Sequence, residues 1–126
     1  MRLIGKVCIA SLKYFDSTSN KTKIKSRPIF ILSETRNNDY TILPISTVSK
    51  KENIDYEYDI EIEPSSYPLL NLYRHCYIRT HKTTTVHKSE ILKITGDLKT
   101  SYPELYSEVI SKWDRYHNEI MEQNKN

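Results

Sequence analysis

The chain has 126 residues, enough for one core and one site but too few for two ordinary domains. Hydrophobic content of 37%, with only two glycines and ten tyrosines, argues against disorder, since tyrosine buries its ring while keeping a hydroxyl wet. A net charge of +3 excludes capture of a polyanion by the overall field, so any such affinity has to come from local clusters.

The first residues, Met1 to Lys6, lack the apolar segment of a secretory signal, and no apolar stretch approaches the roughly 20 residues that cross a bilayer. A cytoplasmic protein without membrane partners is expected. Gly5 to Ala10 reads as a first strand, and Tyr14 to Ser26, rich in Asp, Ser, Thr, Asn and Lys, as a long, mobile surface loop. Pro28 to Ser33 is an apolar run suited to a buried strand. Asn37-Asn38-Asp39 supplies turn chemistry, and Tyr40 to Ile45 returns as the next strand, ending at the hydroxyls of Ser46 and Thr47.

From Asp55 to Glu63 the alternation predicts one half-buried strand. Tyr56, Tyr58, Ile60 and Ile62 face inward, and Asp55, Glu57, Asp59, Glu61 and Glu63 form an acidic outer face. Extended structure resumes over Cys76 to Thr80 and Thr83 to Val86, and Glu90 to Ile94 leads to Gly96. A terminal helix over about 102–120 follows, with Pro103 near its first position and a stripe of Leu105, Val109, Trp113, Tyr116 and Ile120. Residues 1–120 are thus expected to form a single domain and 121–126 a frayed tail. Many short strands before one helix predict a mainly β fold, a small, strongly bent barrel with the helix packed on it.

Two basic clusters stand out. Lys21, Lys23, Lys25 and Arg27 form one, and Arg74, His75, Arg79, His81, Lys82, His87 and Lys88 the other. Within the second, a strand places Arg79 and His81 two residues apart on one face, a guanidinium beside an imidazole. That pairing suits an oxyanion and a moving proton, the two needs of RNA cleavage. Cys8 and Cys76 lie in strand-like runs without C-x-x-C spacing, so core positions are expected and neither a zinc knuckle nor a redox motif.

Four segments in order, Gly5-Lys6-Val7, Lys25 to Ser33, Leu43-Pro44-Ile45-Ser46, and Cys76 to Arg79 with Thr84-Thr85-Val86 and Ile94 to Leu98, resemble the MazF/PemK toxins of bacterial toxin-antitoxin systems. The resemblance spans nearly the whole domain, with a longer segment before Arg27. It implies an SH3-like barrel that forms a homodimer, cuts single-stranded RNA without metal or cofactor, and is blocked by a cognate antitoxin. It also implies that the segment before Arg27 helps close over RNA.

By the same resemblance Arg79 matches a catalytic arginine and Arg27 the Arg-Pro position. Ser46 matches a serine or threonine that is catalytic or contacts RNA. His81 stands where the PemK branch typically carries an acidic base, and Thr84 where many relatives carry arginine. An imidazole is a suitable proton acceptor at neutral pH, and a neighbouring guanidinium is expected to favour its neutral form. Arg27, Ser46, Arg79 and His81 are therefore the expected catalytic set, with Lys23, Lys25, Thr47, His75, Tyr77, Lys82 and Thr84 as RNA contacts. Base stacking is expected from Tyr14, Phe15 or Tyr77. Two other functions fit the same barrel: a non-catalytic toxin that inhibits a protein such as gyrase, and an RNA-binding module whose site has decayed.

Overall fold

The apolar runs at 29–32 and 42–45 are continuous because their strands are covered on both faces. Ile29, Ile31 and Ile42 enter one cluster with Cys8, Ala10, Tyr40 and Val86. Their neighbours Phe30, Leu43 and Ile45 enter a second, larger one with Val7, Ile60, Ile62, Leu70, Ile78, Leu98, Leu105 and Val109. Successive side chains of a strand point to opposite faces, so alternation disappears where both faces are buried. Each fully buried side chain such as Phe30, Ile78 or Leu98 contributes roughly 1.5–3 kcal/mol by leaving water.

The computed structural model describes residues 2–125, leaving Met1 of the expected domain and Asn126 of the expected tail outside the described residues. Seven strands, β1 (Lys6–Asp16), β2 (Lys21–Glu34), β3 (Asp39–Ser46), β4 (Asp59–Ile62), β5 (Cys76–Arg79), β6 (Thr84–His87) and β7 (Ile91–Asp97), precede the short α1 (Leu98–Ser101) and the long α2 (Pro103–Gln123). They pair antiparallel in the order β4-β5-β3-β2-β1-β7, with β6 also on β3. Register shifts at Val7/Cys8 and Ile9/Ala10 against β7, and at Ile31/Ser33 against β3, curl the sheet toward a barrel. The bent β architecture with a C-terminal helix is as the sequence predicts.

The β2–β3 turn is also legible. Asn37 and Asn38 both take positive φ, 61° and 63°, as a two-residue hairpin turn demands and as asparagine tolerates. Helix α2 begins at Pro103 as expected and runs through Met121 to Gln123, three residues beyond the expected end. Leu105 and Val109 of its stripe are buried, Trp113 and Tyr106 pack against the same cluster, and Ile120 is largely exposed. Both cysteines are core residues, and burial pushes each thiol up to about 11.

Two expectations fail. The segment from Tyr14 to Ser26 is not a loop: β1 and β2 stay paired out to Asp16 and Lys21, forming a projecting ribbon. Its polar composition reads as loop, yet strand pairing needs only backbone groups. The turn between the strands closes on Asp16, whose carboxylate accepts from the Thr18 N–H at 3.0 Å and the Ser19 hydroxyl at 3.1 Å.

Nor is 55–63 one strand. Asp55 Oδ1 accepts the Glu57 and Tyr58 N–H groups at 3.0 and 3.1 Å, a local turn that outcompetes sheet pairing and delays β4 to Asp59. Tyr56 consequently faces water, and Asp59, expected on a solvated acidic face, is buried.

Candidate active site

Across the β4–β5 pair Asp59 stands directly opposite Arg79. Cross-strand partners on one face lie close enough for their side chains to meet. Arg79 grips the carboxylate with two groups, Nε to Oδ1 at 3.1 Å and Nη2 to Oδ2 at 3.2 Å, and Nη2 also donates to the Asn53 carbonyl at 2.9 Å. The Asp55 N–H adds a further bond to Oδ2 at 2.9 Å. The Asp59 side chain is 0% exposed, against 20% for Arg79. Breaking a buried pair of this kind by removing one partner costs about 3–5 kcal/mol.

β5 ends at Arg79, so His81, expected to share a strand with it, lies instead in the turn that follows. Thr80 between them is anchored, its hydroxyl donating to the Tyr58 carbonyl at 2.7 Å, and this turns the chain so that the imidazole meets the same carboxylates. Its Nδ1 lies 3.7 Å from Asp59 Oδ1 and its Nε2 lies 4.0 Å from Asp55 Oδ2. Tyr58 and Tyr116 enclose the ring. Burial holds the imidazole below its ordinary pKa; Asp59 and Asp55 oppose this, and Arg79 and Lys82 add to it. The neutral form is thus favoured as expected, but through burial first and the guanidinium only secondarily.

Beside this cluster lies a polar depression of about 330 Å³, lined by Thr47, Val48, Ser49, Asn53, Arg79 and Lys82. A second depression, of about 600 Å³, takes its basic lining from Lys25, Arg27, Arg74 and Lys93. Thr47 lines both, so the two hollows meet at the end of β3. The structure therefore brings Arg79, His81 and Lys82 together and sets Lys25 and Arg27 apart from them, with Thr47 between. The Arg27 guanidinium sits 6.0 Å from the centre of the Tyr14 ring.

Comparison with models of protein families matches residues 5–112 to the PemK-like, MazF-like toxin of type II toxin-antitoxin systems. The chain belongs to that family. A toxin of this kind has an antitoxin as its partner. A search of curated proteins found no match. Among the described residues no helix is long and apolar enough to cross a membrane. The matched span holds Arg27, Ser46, Arg79 and His81, whereas the last turns of α2, with Tyr116 and Glu119, lie beyond it.

The other residues singled out in this toxin fall into distinct places. Ser46 pairs with Tyr77 across β3–β5, on the sheet face that also carries Arg79, and lines neither depression. Tyr77 is only 8% exposed and meets the His75 ring edge-on at 5.2 Å, which leaves no open face for a stacked base. His75 pairs with Glu61 at 2.7 Å. Lys23 pairs with Asp16 at 2.8 Å, out on the ribbon, and the Thr84 hydroxyl donates to the Lys82 carbonyl at 3.0 Å.

Four residues escape the sequence reading: Asp59, whose burial depends on its partners, Asn53, Lys93 and Tyr73. Lys93 and Tyr73 are brought to the larger depression by strand pairing and a loop that no local pattern marks. Tyr73 is 92% exposed there.

Proposed function

We propose that this toxin is a metal-independent endoribonuclease that cleaves single-stranded RNA, with Arg79 and His81 at the reacting phosphate. The observation that carries the reading is a guanidinium that lines an open polar hollow and, on the same carboxylate, a largely neutral imidazole that lines neither depression itself, in a chain of this toxin family.

RNA carries its own nucleophile. His81 takes the 2′-hydroxyl proton as that oxygen bonds to the adjacent phosphorus, the P–O5′ bond breaks to leave a 2′,3′-cyclic phosphate, and the departing O5′ takes a proton from solvent water. Arg79 stabilises the negative charge that builds on the phosphorane. Lys82 and Thr47 contact the same phosphate region, and Ser46 supports Arg79 from the shared sheet face. The strand runs on past Thr47 into the larger depression, where Lys25, Arg27, Arg74 and Lys93 meet its phosphates and Tyr73 offers a free ring to a base. A homodimer extends this surface, and the antitoxin competes for it.

The test is incubation of purified protein with a long unstructured RNA in EDTA, mapping new ends. Discrete cuts are expected, and Arg79→Ala lowers the rate about 100-fold or more, the scale of a lost oxyanion donor. Intact RNA with retained growth arrest would replace this reading with a toxin acting on a protein target. Binding of RNA with neither cleavage nor toxicity would point to a decayed site.

A further inference from the structure

One oxygen atom serves two side chains in the Arg79 cluster. Asp59 Oδ1 is 3.1 Å from Arg79 Nε and 3.7 Å from His81 Nδ1. The first distance is a hydrogen bond and the second falls just short of one. His81 Nδ1 is buried and has no hydrogen-bond partner, while the carboxylate that faces it is itself wholly enclosed. A buried polar nitrogen without a partner is costly, and a buried carboxylate deprived of its cation is costlier. Whatever loosens Arg79 from Asp59 therefore drives the carboxylate toward the imidazole.

A phosphate would compete for the same guanidinium. A two-pronged grip on a phosphate uses either Nε with Nη2 or Nη1 with Nη2, so Nη2 is common to both. Nη2 is already committed to Asp59 Oδ2 at 3.2 Å and to the Asn53 carbonyl at 2.9 Å. Binding a phosphate on either edge weakens one of these bonds and draws the guanidinium outward, toward the hollow that Arg79 lines.

We propose that Asp59 is a positioning residue shared between Arg79 and His81: phosphate binding by Arg79 frees Asp59 Oδ1 to accept a hydrogen bond from His81 Nδ1–H. The hydrogen bond fixes the tautomer whose bare nitrogen is Nε2, the one able to take the 2′-hydroxyl proton. The imidazole thus becomes an oriented base only when a phosphate is in place. The other charged or titratable groups facing the ring are Asp55 before β4, Lys82 beyond it, and Tyr58 and Tyr116 on either side; none of them shares an oxygen with Arg79. The inference rests on Arg79 and His81 being the cleavage pair, yet the coupling itself is measurable without cleavage.

The experiment is nitrogen-15 NMR of the four imidazoles, with His81 assigned by its loss in His81→Gln. In Arg79→Ala, the His81 Nδ1 resonance is expected to move to the protonated, hydrogen-bonded position. The titration midpoint should rise by about one pH unit or more, as for an imidazole gaining a carboxylate partner. In an Asp59→Asn background the same Arg79 substitution should give a clearly smaller shift and no change of tautomer. Equal shifts in the two backgrounds, or an Nδ1 resonance unmoved in Arg79→Ala, would overturn the proposal.

Should a substitution at this buried pair prevent folding, the wild-type protein saturated with inorganic phosphate decides, with Arg79 Nε followed in the same spectra. Movement of both resonances supports the coupling, and movement of Nε alone refutes it. Cleavage is a separate readout. If wild type cuts RNA, Asp59→Asn should lower kcat with little change in KM and displace the acidic limb of the pH profile; an unaltered profile would count against the positioning role. If wild type cuts no RNA, the endoribonuclease reading fails, while the NMR result still stands or falls alone.

Discussion

The Tyr58 hydroxyl donates to the Glu119 carboxylate, tying the turn before β4 to the last turns of α2 across 61 residues of sequence. Arg115 reinforces the tie, its guanidinium lying 5.5 Å from the Tyr58 ring centre and its Nη2 donating to the Glu57 carbonyl at 3.2 Å. Tyr116 meets the rings of both Tyr58 and His81. The family match ends at residue 112, so the helical half of this brace behind the candidate base, Arg115, Tyr116 and Glu119, lies outside it.

The hydrogen bond to Glu119 is the chief reason the Tyr58 phenol is pushed up to about 12. A group whose folded pKa is raised contributes stability that is complete below its unfolded pKa, near 10 for tyrosine, and lost as pH climbs through the folded value. Thermal midpoints measured between pH 10 and 12 should therefore fall more steeply for wild type than for Tyr58→Phe. Parallel curves would mean that the phenol ionises alike in both states.

Much of this arrangement was legible because local physics and tertiary structure agree. Asn37-Asn38 could only be a turn, and Pro103 with the Leu105–Val109 stripe could only open a helix with one buried face. Asp59 is illegible in the sequence for the opposite reason. Its place in an alternating acidic run assigns it to solvent, and only the register that sets Arg79 opposite it, with His81 folded back beside it, covers that face. The ribbon is hidden in the same way, since Lys21, Lys23 and Lys25 carry no apolar signal and pairing with β1 is a backbone matter. The spacing singles out Arg79 and His81, but β5 ends at Arg79, so the turn at Thr80-His81 and not strand alternation brings the imidazole to the carboxylate, itself a product of the fold.

Gly96 lets β7 approach the Leu69-Leu70 backbone closely. A Cβ there would lie 2.6 Å from the Leu69 carbonyl oxygen and 2.8 Å from Leu70 Cα, both backbone atoms that cannot swing aside. Gly96→Ala is expected to destabilise the fold by about 1–3 kcal/mol, the usual scale for overpacking. Urea unfolding checks this through a lowered midpoint at unchanged slope. An unchanged midpoint would show that the β7 edge yields more easily than its contacts suggest.

Burial lowers the His81 pKa from its ordinary value of 6.5. The base form of the free protein therefore persists on mild acidification, and the acidic limb of kcat/KM, which reports the free enzyme, should lie below pH 6.5. Folding has the matching sign: the unfolded chain binds this proton more readily, so His81 detracts from stability as pH falls through 6.5 and has no such effect above it. His81→Asp should carry the limb down into the carboxylate range. A profile indifferent to that substitution would remove His81 from the proton transfer.

Lys25, Arg27, Arg74 and Lys93 converge on the larger depression from β2, the segment ahead of β5, and β7, elements distant in sequence. If single-stranded RNA lies along it, each cation meets a phosphate and releases counterions on binding. Arg74→Ala and Lys93→Ala should then weaken binding of an uncleavable oligonucleotide alike for every sequence, and each should reduce the slope of log K against log salt by about 0.7, the single-strand value. Lys23→Ala, which removes a lysine paired to Asp16 on the outer ribbon, should leave that slope nearly unchanged. Filter binding or fluorescence anisotropy across a salt series separates the two groups. Equal slopes for all three variants would place the RNA elsewhere, since counterion release counts only the phosphates that are touched.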